Sequence, residues 1–271
     1  MKPRTASSMA WASARHLASP FRGPISCTPT GSPDAAGPAG IAVAGRCRAV
    51  ASPIPFSIDT EGTISPVESF AAELSAAGAQ VTPIASPAHM PTLIAAYQTL
   101  LGAVLGEDMP ASEIRGMERM RGIARWQVAR GAGPTSQAAM ILAYTATHRE
   151  WMAADAVRRR LRREIAALFE RFDVILAPIT PVAAFPHDHR AFGRRRLKLS
   201  TGEVVPYVSM LNWIGLATAL HLPATAIPAG PAASGLPVGA QLIGPLNGDA
   251  KCLALAQAIE EAVRGFTPPA A

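Results

Sequence analysis

Two hydrophobic rhythms alternate along this chain: three- and four-residue spacing, which marks helical faces, and short apolar runs, which mark strands. Residues 90–131 carry the helical rhythm, first in PTLIAAYQTLLGAVLG and then in ASEIRGMERMRGIARWQVARG. A longer helix is predicted over residues 136–171, with Val157, Leu161, Ile165, Leu168 and Phe172 on one stripe. Apolar runs follow at 172–180 (FDVILAPIT), 224–227 (ATAI) and 238–243 (VGAQLI). The last two are bounded by prolines and separated by AGPAASG, so they read as strand, tight turn, strand. No Asp, Glu, Lys or Arg occurs from Val204 to Gly248, and both strands are therefore expected to be buried on both faces. A final helix starts at Asn247 or Gly248 and turns Cys252, Ala256, Ile259 and Val263 inward.

The flanking segments add start and stop signals. Ser65, Pro66, Val67 and Glu68 have the form of a capping box with proline in the first turn, and Gly78 suits the left-handed residue that ends a helix. A short strand follows at 79–84. Residues 192–205 read as a hairpin turning at Ser200, Thr201 and Gly202, and residues 211–222 as a buried helix. A helix feeding straight into the strand at 172 points to an α/β sheet, in which functional groups gather just past strand ends. Here that position holds Thr180, Pro181, Phe185, His187 and His189. Met117, Met120 and Trp126 can be read as a ligand-contacting stripe, but their spacing is that of ordinary helical core, the preferred reading.

Charge and composition narrow the function classes. The net charge is +6 with a pI near 9.8, but the excess is arginine, and the only lysines are Lys2, Lys198 and Lys251. The arginines at 158–163 lie mostly off the apolar stripe beside Asp155, Glu164 and Glu170, as on a solvated face. No basic–aromatic interleaving or nucleic-acid motif accompanies them, so no nucleic-acid partner is expected. Nor is a membrane span: the longest proline-free interval of the uncharged region, 207–222, falls short of a typical span and contains Asn212 and His221. Cys27, Cys47 and Cys252 lack metal-ligand spacing and are odd in number, which fits a reducing compartment such as the cytoplasm, with Cys252 as buried packing. His187, Asp188 and His189 have no third ligand in view, so no metal is expected. Residues 1–45 form a separate Ser/Pro/Gly/Arg-rich segment, open to three readings: a transit-peptide-like leader, a disordered tail, or a replacement for a lost start.

NWIGLATALHLPATAIPAG, GLPVGAQLIGP and KCLALAQAIEEAV, with FDVILAPITPVAAFPHD upstream, resemble the C-terminal region of amidase signature enzymes. The resemblance implies that residues 46–271 form the C-terminal portion of an amidase-like domain, with a layered α/β/α fold around a mixed sheet. It also implies hydrolysis of a carboxamide to a carboxylate and ammonia or amine by a serine nucleophile, a second serine and a lysine, with no cofactor. The Gly/Ser-rich signature that carries those residues is not found: the one Ser-Ser pair, Ser7-Ser8, has no glycine beside it. No residue is therefore assigned as catalytic, and the chain is expected to be inactive alone, as an incomplete gene product would be. Thr180, Phe185, His187 and Trp213 are expected to form a substrate-pocket wall. The alternatives are a non-catalytic ligand-binding or subunit role, in which a second chain or self-association covers exposed sheet, and a different hydrolase using His187 with Ser209.

Overall fold

The computed structural model describes residues 48–51, 60–84 and 87–268, so the expectations for residues 1–45 lie outside the described residues. Five strands form a mixed sheet: β1 (Arg48–Ala51), β2 (Gln80–Pro83), β3 (Val174–Pro178), β6 (Ala224–Pro231) and β7 (Pro237–Ile243). Their order is β2-β1-β3-β7-β6, with β1 parallel to both β2 and β3, and β7 antiparallel to both β3 and β6. The intervening strands β4 (Arg196–Lys198) and β5 (Val204–Pro206) pair only with each other, as a hairpin. β1 supplies the centre of the parallel part, although its RAVA sequence is too short to carry a period.

Helices cover both faces. On one side α1 (Ser65–Ala76) and α7 (Asp249–Ala262) pack Phe70, Leu74, Cys252 and Ile259 against Val174, Leu176, Ala240 and Leu242. On the other, α2 (Met90–Glu107), α5 (His148–Ala166) and α6 (Leu211–Leu220) pack Leu93, Ile94, Leu161, Ile165, Trp213 and Leu216 against Ile175, Ala177 and Ile243. Strand alternation sorts neighbours to opposite faces, so Val174 and Ile175 enter different cores. The result is the expected α/β/α layering. The outermost helices, α3 (Ala111–Ala129) and α4 (Gln137–Tyr144), extend the α2 side.

Four expectations need correction. The predicted single helix over 136–171 is two, because Thr147 and Glu150 form a capping box that stops α4 and starts α5: the Thr147 N–H donates to Glu150 Oε2 at 2.8 Å and the Glu150 N–H to Thr147 Oγ1 at 3.3 Å. Ser65 is not a cap. Ile64 before it already has helical φ and ψ, continuing a turn at Thr60–Ile64, and no side chain caps the helix there. At the other end Gly78 does act as expected: its φ is +97°, and the bonds Gly78 N–H to Ser75 O and Ala79 N–H to Leu74 O close a Schellman turn.

The third correction concerns the burial of β6, which lies at the edge of the sheet and is not covered along its length. β7 is buried along nearly all its length, but β6 buries only Ile227 and Ala229 and exposes Ala224 and Ala226. Pro228 and Pro231 within it cannot donate to a ladder, which suits an edge and discourages further pairing. Finally, Met120 and Trp126 are not core. α3 buries Ala124 alone, and Met120, Ile123, Trp126 and Val128 are exposed.

Candidate functional site

The residues expected past the end of β3 have local turn and packing contacts. The Thr180 hydroxyl donates to the Val182 carbonyl at 2.7 Å and shapes its own turn. Phe185 packs edge-on against Tyr207, with ring centroids 6.0 Å apart, over a small core of Val182, Leu197, Leu199 and Val205. His187 is exposed and stands edge-on to His189. Trp213 is 1% exposed and fills the core between α2, α5 and the sheet. Asp188, between the two histidines, is held by Arg190 at 2.7 Å, and this guanidinium keeps its carboxyl well below the usual range. Among the described residues no three His, Cys, Asp or Glu side chains converge as a metal site.

The concave feature with the most distinctive chemistry lies elsewhere. An open cleft of about 470 Å³ is bounded by α3, α4 and the segment 192–208, and none of Thr180, Phe185, His187 and Trp213 borders it. Small residues set the position of its α4 wall. Gly102 and Gly106, one turn apart on α2, let α4 approach so closely that a Cβ at Gly102 would lie 2.6 Å from Ala143 Cβ, and one at Gly106 2.6 Å from the Tyr144 carbonyl. This contact holds Tyr144, whose side chain lines the cleft.

A charge cluster sets the α3 wall. Arg121 reaches from α3 to the corner between α4 and α5, where it binds Thr145 Oγ1 at 2.6 Å and both Glu150 oxygens at 2.7 Å; Arg125 adds a contact to Glu150 at 3.0 Å. Burial pushes the Glu150 carboxyl up, but the Thr147 N–H, the two arginines and the Thr147 hydroxyl together outweigh it and bring the pKa down to about 2. The same carboxylate thus caps α5 and ties α3 in place.

Tyr207 organises the third wall. It stands edge-on to Phe192, with centroids 5.5 Å apart, and Arg195 Cζ lies 5.6 Å from its ring centroid. Phe185 packs edge-on against the same ring and does not border the cleft, so one of the expected site residues supports the cleft wall without reaching the cleft. Of the lining residues, the sequence marks Met117 and Met120 as a ligand-contacting stripe or, preferably, as helical core, and does not mark Tyr144, Phe192 or Tyr207 as site residues. No local run marks them together, because Met117 and Met120 lie among charged residues on α3 and the aromatic lining comes from α4 and the 192–208 segment.

Catalytic hydroxyl chemistry needs a base on the nucleophile. Among the described residues no serine hydroxyl is hydrogen-bonded to a histidine or a lysine. Lys198 is exposed on β4, and Lys251 Nζ is ion-paired with Asp173. Ser209 is buried in the turn before α6 while His187 is exposed. His221 ends α6 at φ +56° beside Arg158, and burial, followed by the Arg158 and Arg162 charges, keeps its pKa below the ordinary value.

Comparison with known proteins supplies the family. The amidase family profile matches residues 54–253. A glutamyl-tRNA(Gln) amidotransferase subunit of Thermus thermophilus is 34% identical over 180 residues, covering 66% of this chain and 34% of that protein. Fatty acid amide hydrolase of Oryza sativa subsp. indica is 33% identical over 115 residues, covering 42% and 18%. Of solved structures, a glutamyl-tRNA(Gln) amidotransferase subunit from Thermotoga maritima superposes with a TM-score of 0.51 at 22% identity, over 82% of this chain and 44% of that one. A bacterial aryl acylamidase gives a TM-score of 0.54 at 18% identity, over 83% and 47%. The structural likenesses speak for the fold, and in each of these cases the chain spans less than half the length of its relative. With a profile match across most of its length and the layered α/β/α fold to go with it, the chain belongs to the amidase family.

Proposed function

We propose that these residues form the C-terminal portion of an amidase-type domain, and that the chain by itself does not hydrolyse amides. The family reaction adds a serine hydroxyl to a carboxamide carbonyl and expels ammonia or an amine, with a neutral lysine taking the hydroxyl proton through a second serine. The observation that carries the reading is the placement of the two described lysines: Lys198 is exposed on the β4–β5 hairpin and Lys251 is ion-paired with Asp173, so neither is a base for a serine. The reading includes a small-molecule amide as the ligand of the completed domain, a cytoplasmic location, and no nucleic acid, membrane, metal or organic cofactor. The test is ammonia or amine release by the purified chain from a panel of small aryl and aliphatic amides. No release above buffer is expected; turnover abolished by a substitution within the chain overturns the proposal.

One observation favours a second reading, a non-catalytic role completed by another chain. Met120, Ile123, Trp126 and Val128 are exposed along α3, and among the described residues β2 and β6 are the edge strands of the sheet. The Thermus thermophilus relative is itself named as one subunit of an amidotransferase, which supports such a role for the fold. A stable stoichiometric complex or self-association in sedimentation experiments is the expected result. A soluble monomer at all concentrations sinks it.

A further inference from the structure

The cleft between α3, α4 and the 192–208 segment has a composition that the amidase reading leaves unexplained. Four of the nine methionines of the chain, Met109, Met117, Met120 and Met140, line it. Thioether side chains are flexible and polarizable, and favour the faces and edges of apolar or aromatic bodies. Tyr144, Phe192 and Tyr207 complete a wall suited to such a body, and about 470 Å³ is within the range of small-molecule pockets.

Charge then selects among apolar ligands. Arg195 and Arg196 border the same cleft, and among the described residues neither is in an ion pair. Seven other arginines, Arg121, Arg125, Arg158, Arg159, Arg160, Arg190 and Arg264, are matched to carboxylates; Arg195 and Arg196 are set apart by bordering the cleft. The two unpaired guanidiniums are nonetheless held in place. Arg195 lies over the Tyr207 ring and donates from Nε to the Arg190 carbonyl at 2.7 Å. Arg196 donates from Nη1 to the Gly193 and Arg195 carbonyls at 2.9 and 2.8 Å. Anchoring through backbone carbonyls leaves the positive charge uncompensated and leaves Nη1 and Nη2 of Arg195, and Nε and Nη2 of Arg196, as the donors for a carboxylate. Glu113, in the first turn of α3, is the one acidic residue on the wall; the guanidiniums outnumber it, and its presence selects against multiply charged anions.

We infer that this cleft binds a small monocarboxylate with an aromatic or branched apolar body, the body against the methionine and aromatic wall and the carboxylate on Arg195 and Arg196. The inference concerns binding alone and holds whether or not the completed domain cleaves an amide.

Calorimetric titration of the full chain with three compounds of one shape tests it: 4-phenylbutanoate, 4-phenylbutanamide and 4-phenylbutylamine. The carboxylate is expected to bind about tenfold more tightly than the neutral amide, equivalent to about 1.4 kcal/mol, and the amine most weakly. Added salt reduces only the carboxylate's advantage. The double variant Arg195→Gln/Arg196→Gln, at half-buried and exposed positions, removes that advantage and leaves amide binding unchanged; Met117→Gln with Met140→Gln weakens carboxylate and amide alike. Thermal melts of both variants establish that they fold. Equal affinity for the three compounds, no binding of any of them, or a carboxylate preference that survives loss of both arginines overturns the inference. Because no readout is amide turnover, none of these results bears on the amidase reading.

Discussion

α6 and α3 are both helices with ample apolar residues, and they end in opposite environments. α6 buries seven of its ten residues, among them Trp213, Leu216 and Leu220, between α2, α5 and the sheet. α3 is nearly twice as long and buries Ala124 alone. The difference lies in what surrounds them. α6 enters a space walled by strands and two helices, where burial of its side chains is the driving force. α3 packs chiefly on α4, and its hold on the rest of the molecule is the polar clamp of Arg121 on Thr145 and Glu150. One helix is fixed by the core and the other by charge, and this side of the molecule also carries the cleft.

Trp213→Ala gives the largest expected effect. Removing a fully buried indole from between α2, α5 and the sheet lowers stability by about 3–5 kcal/mol, read as a drop in urea midpoint. A loss under about 1 kcal/mol, in the range of surface substitutions, would show that α6 is as loosely held as α3 and would break the comparison.

The core side of this contrast was legible in the sequence and the α3 side was not. Leu161 and Ile165 fall on an apolar stripe set off from the arginines beside it, and both are almost fully buried. β7 and Gly78 likewise follow from local chemistry, an uncharged run in one case and a left-handed turn in the other. Met120 and Trp126 obey the same helical spacing, yet spacing says only that residues share a face, not that anything covers it. The break before α5 hid because Thr147 and Glu150 interrupt the backbone without interrupting the apolar rhythm. β6 misled because Ala and Thr are as compatible with an edge as with a centre. The cleft had no local signature: its walls come from residues 109–144 and 192–208, joined only by the fold.

Arg121→Ala probes the clamp. The lost contacts are a bidentate carboxylate pair and a hydroxyl bond; Arg121 is largely shielded and Glu150 about a third exposed, so discounting for solvent gives about 1 kcal/mol. The same carboxylate sets a pH dependence. Its folded pKa of about 2 lies below the ordinary 4.5, so its contribution is complete above about pH 4.5 and is lost as the pH falls toward 2. Acid unfolding of the wild type against Glu150→Gln checks this. The two stability curves should converge as the pH drops through that window, and a constant gap would remove Glu150 from the account.

The smallest effect is expected from Trp126→Ala, at a residue as large as Trp213 and opposite in setting. Trp126 is 58% exposed, and its identified partner is the Arg130 guanidinium, 4.8 Å from the ring centroid. An exposed cation–π contact contributes about 0.5–1 kcal/mol, so the isolated chain should lose no more than that. If the second functional reading holds and another chain covers α3, the same substitution weakens the complex far more than it weakens the chain, because a buried aromatic anchor dominates an interface. Urea unfolding and sedimentation of one variant therefore separate the two settings. A loss of several kcal/mol from the chain alone would mean that α3 is already covered, and the contrast with α6 would fail.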